Sequence, residues 1–545
     1  MHDAVVIGSG PNGLVAANML ADAGWDVLVL EAAAVPGGAV RSAELIEPGY
    51  RNDVCSAFYP LGAGSPVLAR LGLEQFGLRW LRAPLALAHP TLDGSCPVLS
   101  TDLDETAASL DEGARGDGDA WRDLYGRWVS LESALLGAML TPFPPVRAGL
   151  RLGLSMRPAE LARFARFTLI PVRRLGEEHF RGQDARLLLA GSALHADLAP
   201  EATLSGFFGW LMCSLGQHIG FPVPEGGAGE LSGALVRRLE ARGGRVECDA
   251  PVVKVLVRDG EAVGVRLSGG EEIRASRAVV ADVDGPTLYR SLVGLENLPR
   301  GLGADLDRFH RDDATVKVDW NLDGPVPWTS PAARRAGTVH VAEDVDELTV
   351  GASELARGLV PKRPFLLVGQ QSMTDPSRQP AGKETAWAYT HVPQTVRGDA
   401  GGDGITGRWD PSEADRMADR MEERIEALAP GFRGRIRGRH ILVPPSFQAE
   451  NNSLIGGAIN GGTTQLHQQL IFRPTPGLGR PETPIRRLYL GSSSAHPGGG
   501  VHGGPGSNAA RAVLAGDRRR RLAAGARRLP SRTSRSVVGL TRRRP

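Results

Sequence analysis

The sequence predicts an α/β fold: a parallel sheet assembled from discontinuous segments, beside a second domain of mixed sheet and helices. Three stretches predict it. Residues 1–62 open with an apolar strand, a glycine-rich turn and an Ala-rich helix. Residues 222–285 carry a glycine-led helix, a hairpin and a returning apolar strand, and residues 455–514 end in a strand, a polyglycine turn and a helix. Strands alternating with helices require a parallel sheet, because parallel neighbours are joined by long crossovers that are usually helical.

In the first stretch Val5-Val6-Ile7 runs into Gly8-Ser9-Gly10-Pro11-Asn12-Gly13, and a helix expected over Leu14 to Ala23 stops before Gly24. Each glycine has a task in such a strand–turn–helix unit: Gly8 permits the turn, Gly10 lets a phosphate reach the backbone, and Gly13 lets helix and strand pack closely. A pyrophosphate then sits on the free N–H groups of the helix N-terminus. Val27-Leu28-Val29-Leu30 is the next buried strand and ends in Glu31, 18 residues on (13 to 31). A Rossmann-like domain places its ribose-binding acid at a spacing of about 20 residues.

The segment after Glu31 selects the nucleotide. Glu31-Ala32 and then Pro36-Gly37-Gly38-Ala39-Val40-Arg41-Ser42 resemble the E-x(n)-G-G-x-x-R-S/T signature of FAD enzymes of the glutathione reductase and amine oxidase type. The resemblance implies that Gly37, Gly38 and Arg41 serve the FAD phosphates and ribityl chain. NAD-binding domains normally lack this set. Where many relatives carry Gly-Gly-Arg this chain has Ala39-Val40-Arg41, which leaves the arginine's contact open.

At 545 residues the chain is too long for one typical core, and 42% hydrophobic residues with 70 glycines fit an α/β protein with many tight loops. The net charge of +2 is unevenly spread: Arg518 to Arg544 holds eleven arginines and no acid, so the body is acidic overall. No nucleic-acid partner is expected. Cys55, Cys96, Cys213 and Cys248 are scattered without metal-like spacing and read as reduced thiols. No stretch approaches the roughly 20 apolar residues of a transmembrane helix, and the glycine motif begins too near Met1 to follow a cleavable leader. Cytoplasmic residence is the expectation, with peripheral membrane contact left open.

The expected boundaries put the nucleotide domain at 1–95, 222–290 and 455–516, and a substrate domain at 96–221 (helical) and 291–454 (sheet and helices). Residues 517–545 read as an Arg-rich disordered tail. In the helical part, Trp121 to Met139 and Pro158 to Phe180 show apolar residues at helical spacing. Arg147, Arg151, Arg157, Arg163, Arg166, Arg173 and Arg174 alternate there with leucines and phenylalanines, a pattern that suits either anionic lipid or a solvated face. Phe207 to Cys213 suits either a substrate channel or core packing. Thr315 to Trp320 and Thr385 to Thr390 alternate as half-buried strands, and Pro411 to Leu428 is a helix with Met417, Met421, Ile425 and Leu428 on one face.

Taken together, residues 5–31, Gly37 to Ser42, Pro48-Gly49-Tyr50 and Ser56 to Leu61 resemble the phytoene desaturase and carotenoid oxidoreductase branch of flavoproteins. They sit nearest the subgroup called pyridine nucleotide-disulfide oxidoreductase domain-containing protein 2. Pro222 to Asp282 resembles that family's second FAD element, which implies that the Val252 backbone bonds the adenine. Leu488 to Leu514 resembles its "LYLxGxxxHPGGGVxGxxGxxAAR" signature. The resemblance implies that Gly491, Gly499, Gly500, Val501 and Gly504 lie along the flavin ring, with a helix N-terminus near the pyrimidine end. Hydride arriving at flavin N5 leaves negative charge around N1 and the C2 carbonyl, and the positive end of a helix dipole stabilises it. His467, His496 and His502 are the acid/base candidates near the ring, each equally readable as a structural histidine.

The expected function is therefore an FAD-dependent oxidoreductase of desaturase or dehydrogenase type. It would move a hydride between a small apolar substrate, isoprenoid or polyene in character, and flavin N5. No second strand followed by Gly-x-Gly-x-x-Gly is present in the sequence, so oxygen, a quinone or another carrier is the expected electron acceptor. A flavin amine oxidase, a polyene isomerase and a non-catalytic lipid- or partner-binding flavoprotein are the alternatives. The last should have lost the phosphate glycines and Glu31, which this chain keeps.

Overall fold

The computed structural model describes residues 1–528 except 147–148, 151–152 and 154–156. Two seven-stranded sheets organise these residues. In the first, the order is Val252–Arg258, Glu261–Leu267, Glu272–Ala281, His2–Ile7, Val27–Leu30 and Arg245–Glu247, with Leu488–Leu490 also pairing with Glu272–Ala281. That long strand changes partner part-way. Glu272 to Arg274 pair antiparallel with the hairpin, while Val279 to Ala281 pair in parallel with Leu488 to Leu490. The three distant stretches thus share one sheet. Val27–Leu30 is buried on both faces, which is why it is an unbroken apolar run.

Helix Pro11–Asp22 packs on this sheet between helices Gly229–Ala241 and Gly504–Arg528. Its crossing with Gly504–Arg528 is tight: a Cβ on Gly506 would overlap the Asn12 carbonyl. The last helix runs on to Arg528, so residues 517–528, expected in a disordered tail, are helical. Asp517 anchors this extension by accepting from Arg277 at 2.6 Å, and Arg277 stacks over Trp25 with 3.5 Å to the ring centre. The remainder of the expected tail, 529–545, lies outside the described residues.

The second sheet runs Ile436–Leu442, Ala314–Leu322, Glu384–Val392, Leu366–Gly369, Ala336–Val341, Leu85–Ala88 and Val98–Leu99. Because Leu85–Ala88 and Val98–Leu99 belong here, the first nucleotide segment ends before Leu85 rather than at residue 95. One face is apolar: Val316, Val318, Trp320, Ala386 and Ala388 pack against Met417, Met421 and Ile425 of helix Pro411–Leu428. Each fully buried valine, methionine or isoleucine among them stabilises the fold by about 1.5–3 kcal/mol. The other face follows from the register Thr315↔His391, Lys317↔Tyr389 and Asp319↔Trp387. It carries charged, imidazole and aromatic groups, and it is the floor of the candidate site.

Helices Asp117–Met139, Gln183–Leu194 and Ser205–Ile219 cover that floor. Phe207 to Cys213 resolves into core: Trp210 and Cys213 are fully enclosed, and Trp210 meets Phe167 edge-on at 5.0 Å. The Pro158 to Phe180 pattern divides at Pro171 into Pro158–Leu169 and Val172–His179, since a proline inside a helix removes a hydrogen bond. Of the arginine run, Arg166 and Arg174 pair with Glu178, and Arg173 pairs with Glu201 and Asp346. Arg147 and Arg151 lie outside the described residues. Among the described residues no helix is long and apolar enough to cross a membrane.

Candidate active site

The ends of strands His2–Ile7, Val27–Leu30 and Glu272–Ala281 converge on the first glycine turn. Ser9 knits it together: its N–H and Oγ donate to Glu31 Oε2 at 2.9 and 2.5 Å, and its Oγ accepts from Gly37 N–H at 3.1 Å. Glu31 Oε1 accepts from Ala33 N–H at 2.9 Å, past the exposed Ala32. Gly38 lies on Gly10, where a Cβ would come within 3.1 Å of the Gly10 Cα. Gly8, Ser9, Gly10, Gly13, Glu31, Gly37 and Gly38 are thereby gathered in one cradle. Pro11 opens the helix and Asn12 is buried beside it with its Oδ1 unpartnered. Arg41 braces the loop, donating from Nε to the Gly38 carbonyl at 2.8 Å and meeting Glu450 at 3.3 Å. Val252 opens the hairpin two residues beyond Ala250, whose N–H donates to the Glu31 carbonyl at 2.8 Å.

At the C-terminal turn, Gly491 N–H donates to the Ala281 carbonyl at 2.8 Å, tying the turn to the sheet. His502 accepts the Gly504 N–H at Nδ1 (3.0 Å), so its Nε2 carries the hydrogen and donates to the Gly499 carbonyl at 3.1 Å. Both ring nitrogens thus shape the Gly499–Gly504 segment, with Gly500 and Val501 between. His496 donates from Nε2 to the Thr141 carbonyl at 3.1 Å. Burial lowers both histidines to about 4 and keeps them neutral. His467 stands apart, stacked on His310 with ring centres 5.5 Å apart. The sequence-nominated histidines therefore do not form one acid–base group.

A different set does. Gly499 presses on Asn460, which a Cβ there would overlap, and Asn460 Nδ2 donates to Asp197 Oδ2. Asp197 Oδ1 lies 2.7 Å from His391 Nε2, an ion pair rather than an aligned hydrogen bond. Burial opposes charge on His391, but the Asp197 carboxylate, with Asp313 and Asp312, outweighs it and raises the imidazole to about 9. Asp312 holds the Asn460 loop, accepting from the N–H groups of Ile459, Asn460 and Gly462 at 2.7, 2.7 and 3.0 Å. Asp313 immediately precedes strand Ala314–Leu322, two residues before Thr315, whose partner across the sheet is His391, and its charge acts on the His391 imidazole. Burial lifts it to about 6, against the pull of His391.

Beside this pair is an aromatic wall. Tyr389 meets His391 edge-on at 5.5 Å and stacks on Trp387 at 5.9 Å, and Phe58 leans on Trp387 at 6.1 Å. Beneath it Lys317 donates to Asp319 at 2.5 Å and to the Asp53 carbonyl at 2.9 Å, while Arg378 binds Asp53 and Asp375 at 2.5 and 3.2 Å. Both cations are fully buried, so these bonds fasten residue 53 of the nucleotide half to the floor.

The family model of flavin-containing amine oxidoreductases matches residues 12–301, more than half of the chain. The chain belongs to that family. It is 30% identical over 554 residues to pyridine nucleotide-disulfide oxidoreductase domain-containing protein 2 of Rattus norvegicus, covering 94% of this chain and 93% of that one. It is 26% identical to the neurosporene-forming phytoene desaturase of Cereibacter sphaeroides, covering 96% and 97%. Among solved structures, an oxidoreductase from Methanosarcina mazei shares the fold with a TM-score of 0.60 at 17% identity, covering 94% of this chain and 99% of that one. As a member of this family the protein is an FAD-dependent oxidoreductase of the amine oxidase and desaturase type.

The residues fit the dinucleotide. Asn12 Oδ1, and Ser507 Oγ and Asn508 Oδ1 at the start of the last helix, are buried without protein partners, and unpaired buried polar atoms call for a ligand. Glu31 and the Gly8–Gly13 turn would hold ribose and pyrophosphate, and the Gly499–Gly504 turn would flank the ring. The last helix has no acid in its first turn to oppose charge there.

Sequence reasoning missed Asp197, Asp313, His391 and Asn460. The one available signal was parity: Trp387, Tyr389 and His391 alternate along the strand with the small residues Ala386, Ala388 and Thr390. A histidine on that face belongs to the site.

Proposed function

We propose that the protein dehydrogenates a small, apolar substrate of isoprenoid or polyene character, with Asp313 taking the proton that is lost. FAD, when bound, supplies the hydride acceptor at N5. The cluster of Phe58, Trp387 and Tyr389 beside His391 supports this reading, because it makes the surroundings of the charged pair aromatic and apolar. A base must be deprotonated at working pH yet basic enough to accept a proton. Asp313, near 6, meets both conditions at neutral pH. His391, near 9, is already charged. Its role is to hold the Asp313 charge in place while Asp197 holds the imidazolium. The two electrons pass on to oxygen, a quinone or another carrier.

The observation that carries this reading is the run of contacts from Gly499 through Asn460 and Asp197 to His391, with the Asp313 charge acting on that imidazole. An amine substrate, suggested by the family's name, would bring a cation against the His391 imidazolium. Anaerobic addition of candidate polyenes and of amines to the FAD-loaded protein separates the two, by which class bleaches the flavin. Asp313→Asn is expected to lower the bleaching rate by about 10²–10⁴-fold with FAD still bound, and the wild-type rate should rise with pH through about 6. Bleaching by amines alone, or an unimpaired Asp313→Asn, would overturn the proposal.

A further inference from the structure

The group at the centre of the phosphate cradle is a carboxyl. Asp282 follows strand Glu272–Ala281 and turns its side chain into the Gly8–Gly13 loop, where Oδ2 accepts the Gly13 N–H at 2.7 Å. A Cβ on Gly10 would come within 2.6 Å of the same oxygen, and one on Gly13 within 3.1 Å, so the glycines are wrapped around this carboxyl. It thus holds an N–H of the first helix turn, where the pyrophosphate belongs. Among the described residues no arginine, lysine or histidine pairs with it.

The charges around it are adverse to an anion. From strand Val27–Leu30 comes the Glu31 carboxylate. From the first helix come only backbone N–H groups, and from the last helix no acid or base in its first turn. Asp284, two residues on, is turned away onto Arg311 at 2.7 Å. Arg41 is engaged by Gly38 and Glu450. A pyrophosphate brought here would face two carboxylates, with Arg41 of the same loop held on the Gly38 carbonyl and Glu450.

We propose that Asp282 binds FAD as a neutral carboxylic acid, giving its O–H to a pyrophosphate oxygen, so that each FAD bound to the ionised apoprotein takes one proton from solvent. No bond is made or broken beyond that protonation. Burial, with help from Glu31 and against the Gly13 N–H, already raises Asp282 to about 7 in the absence of the phosphate. A carboxyl raised in this way favours the protonated state, so FAD affinity is full below about 7 and falls as pH rises.

The test uses the full-length apoprotein, with FAD titrated by quenching of its fluorescence between pH 5.5 and 8.5. For the wild type the dissociation constant should rise about tenfold per pH unit above the Asp282 pKa. Asp282→Asn keeps a donor and has no charge; its dissociation constant should be flat with pH and at least tenfold tighter than wild type at pH 8.5. Glu31→Gln should keep the pH slope, which assigns the slope to Asp282. Calorimetry of the unaltered protein in buffers of different ionisation enthalpy gives an independent reading, with close to one proton taken up per FAD at pH 8. A flat wild-type profile, release rather than uptake of protons, or an Asp282→Asn variant that folds but binds FAD more weakly at every pH would overturn the proposal.

Discussion

The two sheets solve different problems with different kinds of information. The nucleotide sheet positions backbone: N–H groups at helix starts, carbonyl ends of strands and glycines that leave room. Its requirements are local, and a residue that violates them shows at once. The floor sheet positions side chains drawn from four separated segments, and its geometry follows from strand register. One sheet is specified by what each residue must not have, a Cβ in the wrong place. The other is specified by which residues end up opposite each other.

The contrast predicts a ranked series of failures. The largest should come from Gly506→Val, which drives a side chain into the Asn12 backbone where the first and last helices cross. Backbone cannot yield as a side chain can, and a loss above about 4 kcal/mol is expected, seen as absence of soluble protein or of a cooperative melt. In the floor sheet Lys317→Met leaves Asp319 buried without its cation, which should cost about 3–5 kcal/mol in denaturant unfolding. The double variant Lys317→Met/Asp319→Leu should recover most of it, because the site needs matching partners rather than a particular residue. Recovery of the glycine variant by any single partner change would erase the distinction between the two sheets.

A smaller effect sharpens the comparison on the cofactor side. Glu31→Gln keeps the shape but halves the acceptor capacity of a carboxylate bonded by Ser9 and Ala33. FAD affinity should drop by roughly 1.5–3 kcal/mol, measured by fluorescence titration, and the apoprotein should melt lower as well, because the bonds from Ser9 and Ala33 lie within the protein. The smallest effect is expected at Glu413, which opens the helix behind the floor. Burial raises this carboxyl, but hydrogen bonds from Thr406, Gly407 and Trp409 prevail and lower it to about 2. A depressed carboxylate stabilises above its unfolded pKa and loses that contribution as pH falls toward 2. The melting temperature of Glu413→Gln should therefore lie below that of the wild type at pH 7 and approach it only as pH falls to about 2.

This division also explains what could be read without the structure. Gly8 to Gly13, Glu31 and Gly37-Gly38 were legible because each marks its own turn or strand end in the sequence and because the spacing between them is fixed. Helix Pro411–Leu428 matches its expected span because a 3.6-residue apolar stripe and a proline start are local signals. Asp197 carried no such signal. It sits at the end of helix Gln183–Leu194 in a left-handed turn with φ 59°, and only folding brings it to His391. The histidines beside the glycine motif drew attention by their position, yet the turn consumes the nitrogens of His502 in its own backbone. The boundary at residue 95 failed for a related reason: Leu85–Ala88 is as apolar as a nucleotide strand, and only its parallel pairing with Ala336–Val341 assigns it to the floor. The helix past residue 516 was hidden by composition, since its arginines gave no hint of the Asp517–Arg277 anchor.

The crossing of Asn12 with Gly506 sets a schedule for biosynthesis. The two partners are 494 positions apart (506 minus 12), so the first strand and its glycine loop leave the ribosome long before the helix that closes over them exists. Chains lengthen at about 5–20 residues per second, which leaves the opening segment waiting for tens of seconds. Cofactor capture is thus a finishing step. The floor sheet gains its last strand, Ile436–Leu442, before the final helix Gly504–Arg528 emerges, so the nucleotide half is the last to be closed over. A product cut short before Gly506 would be a partly folded protein without colour.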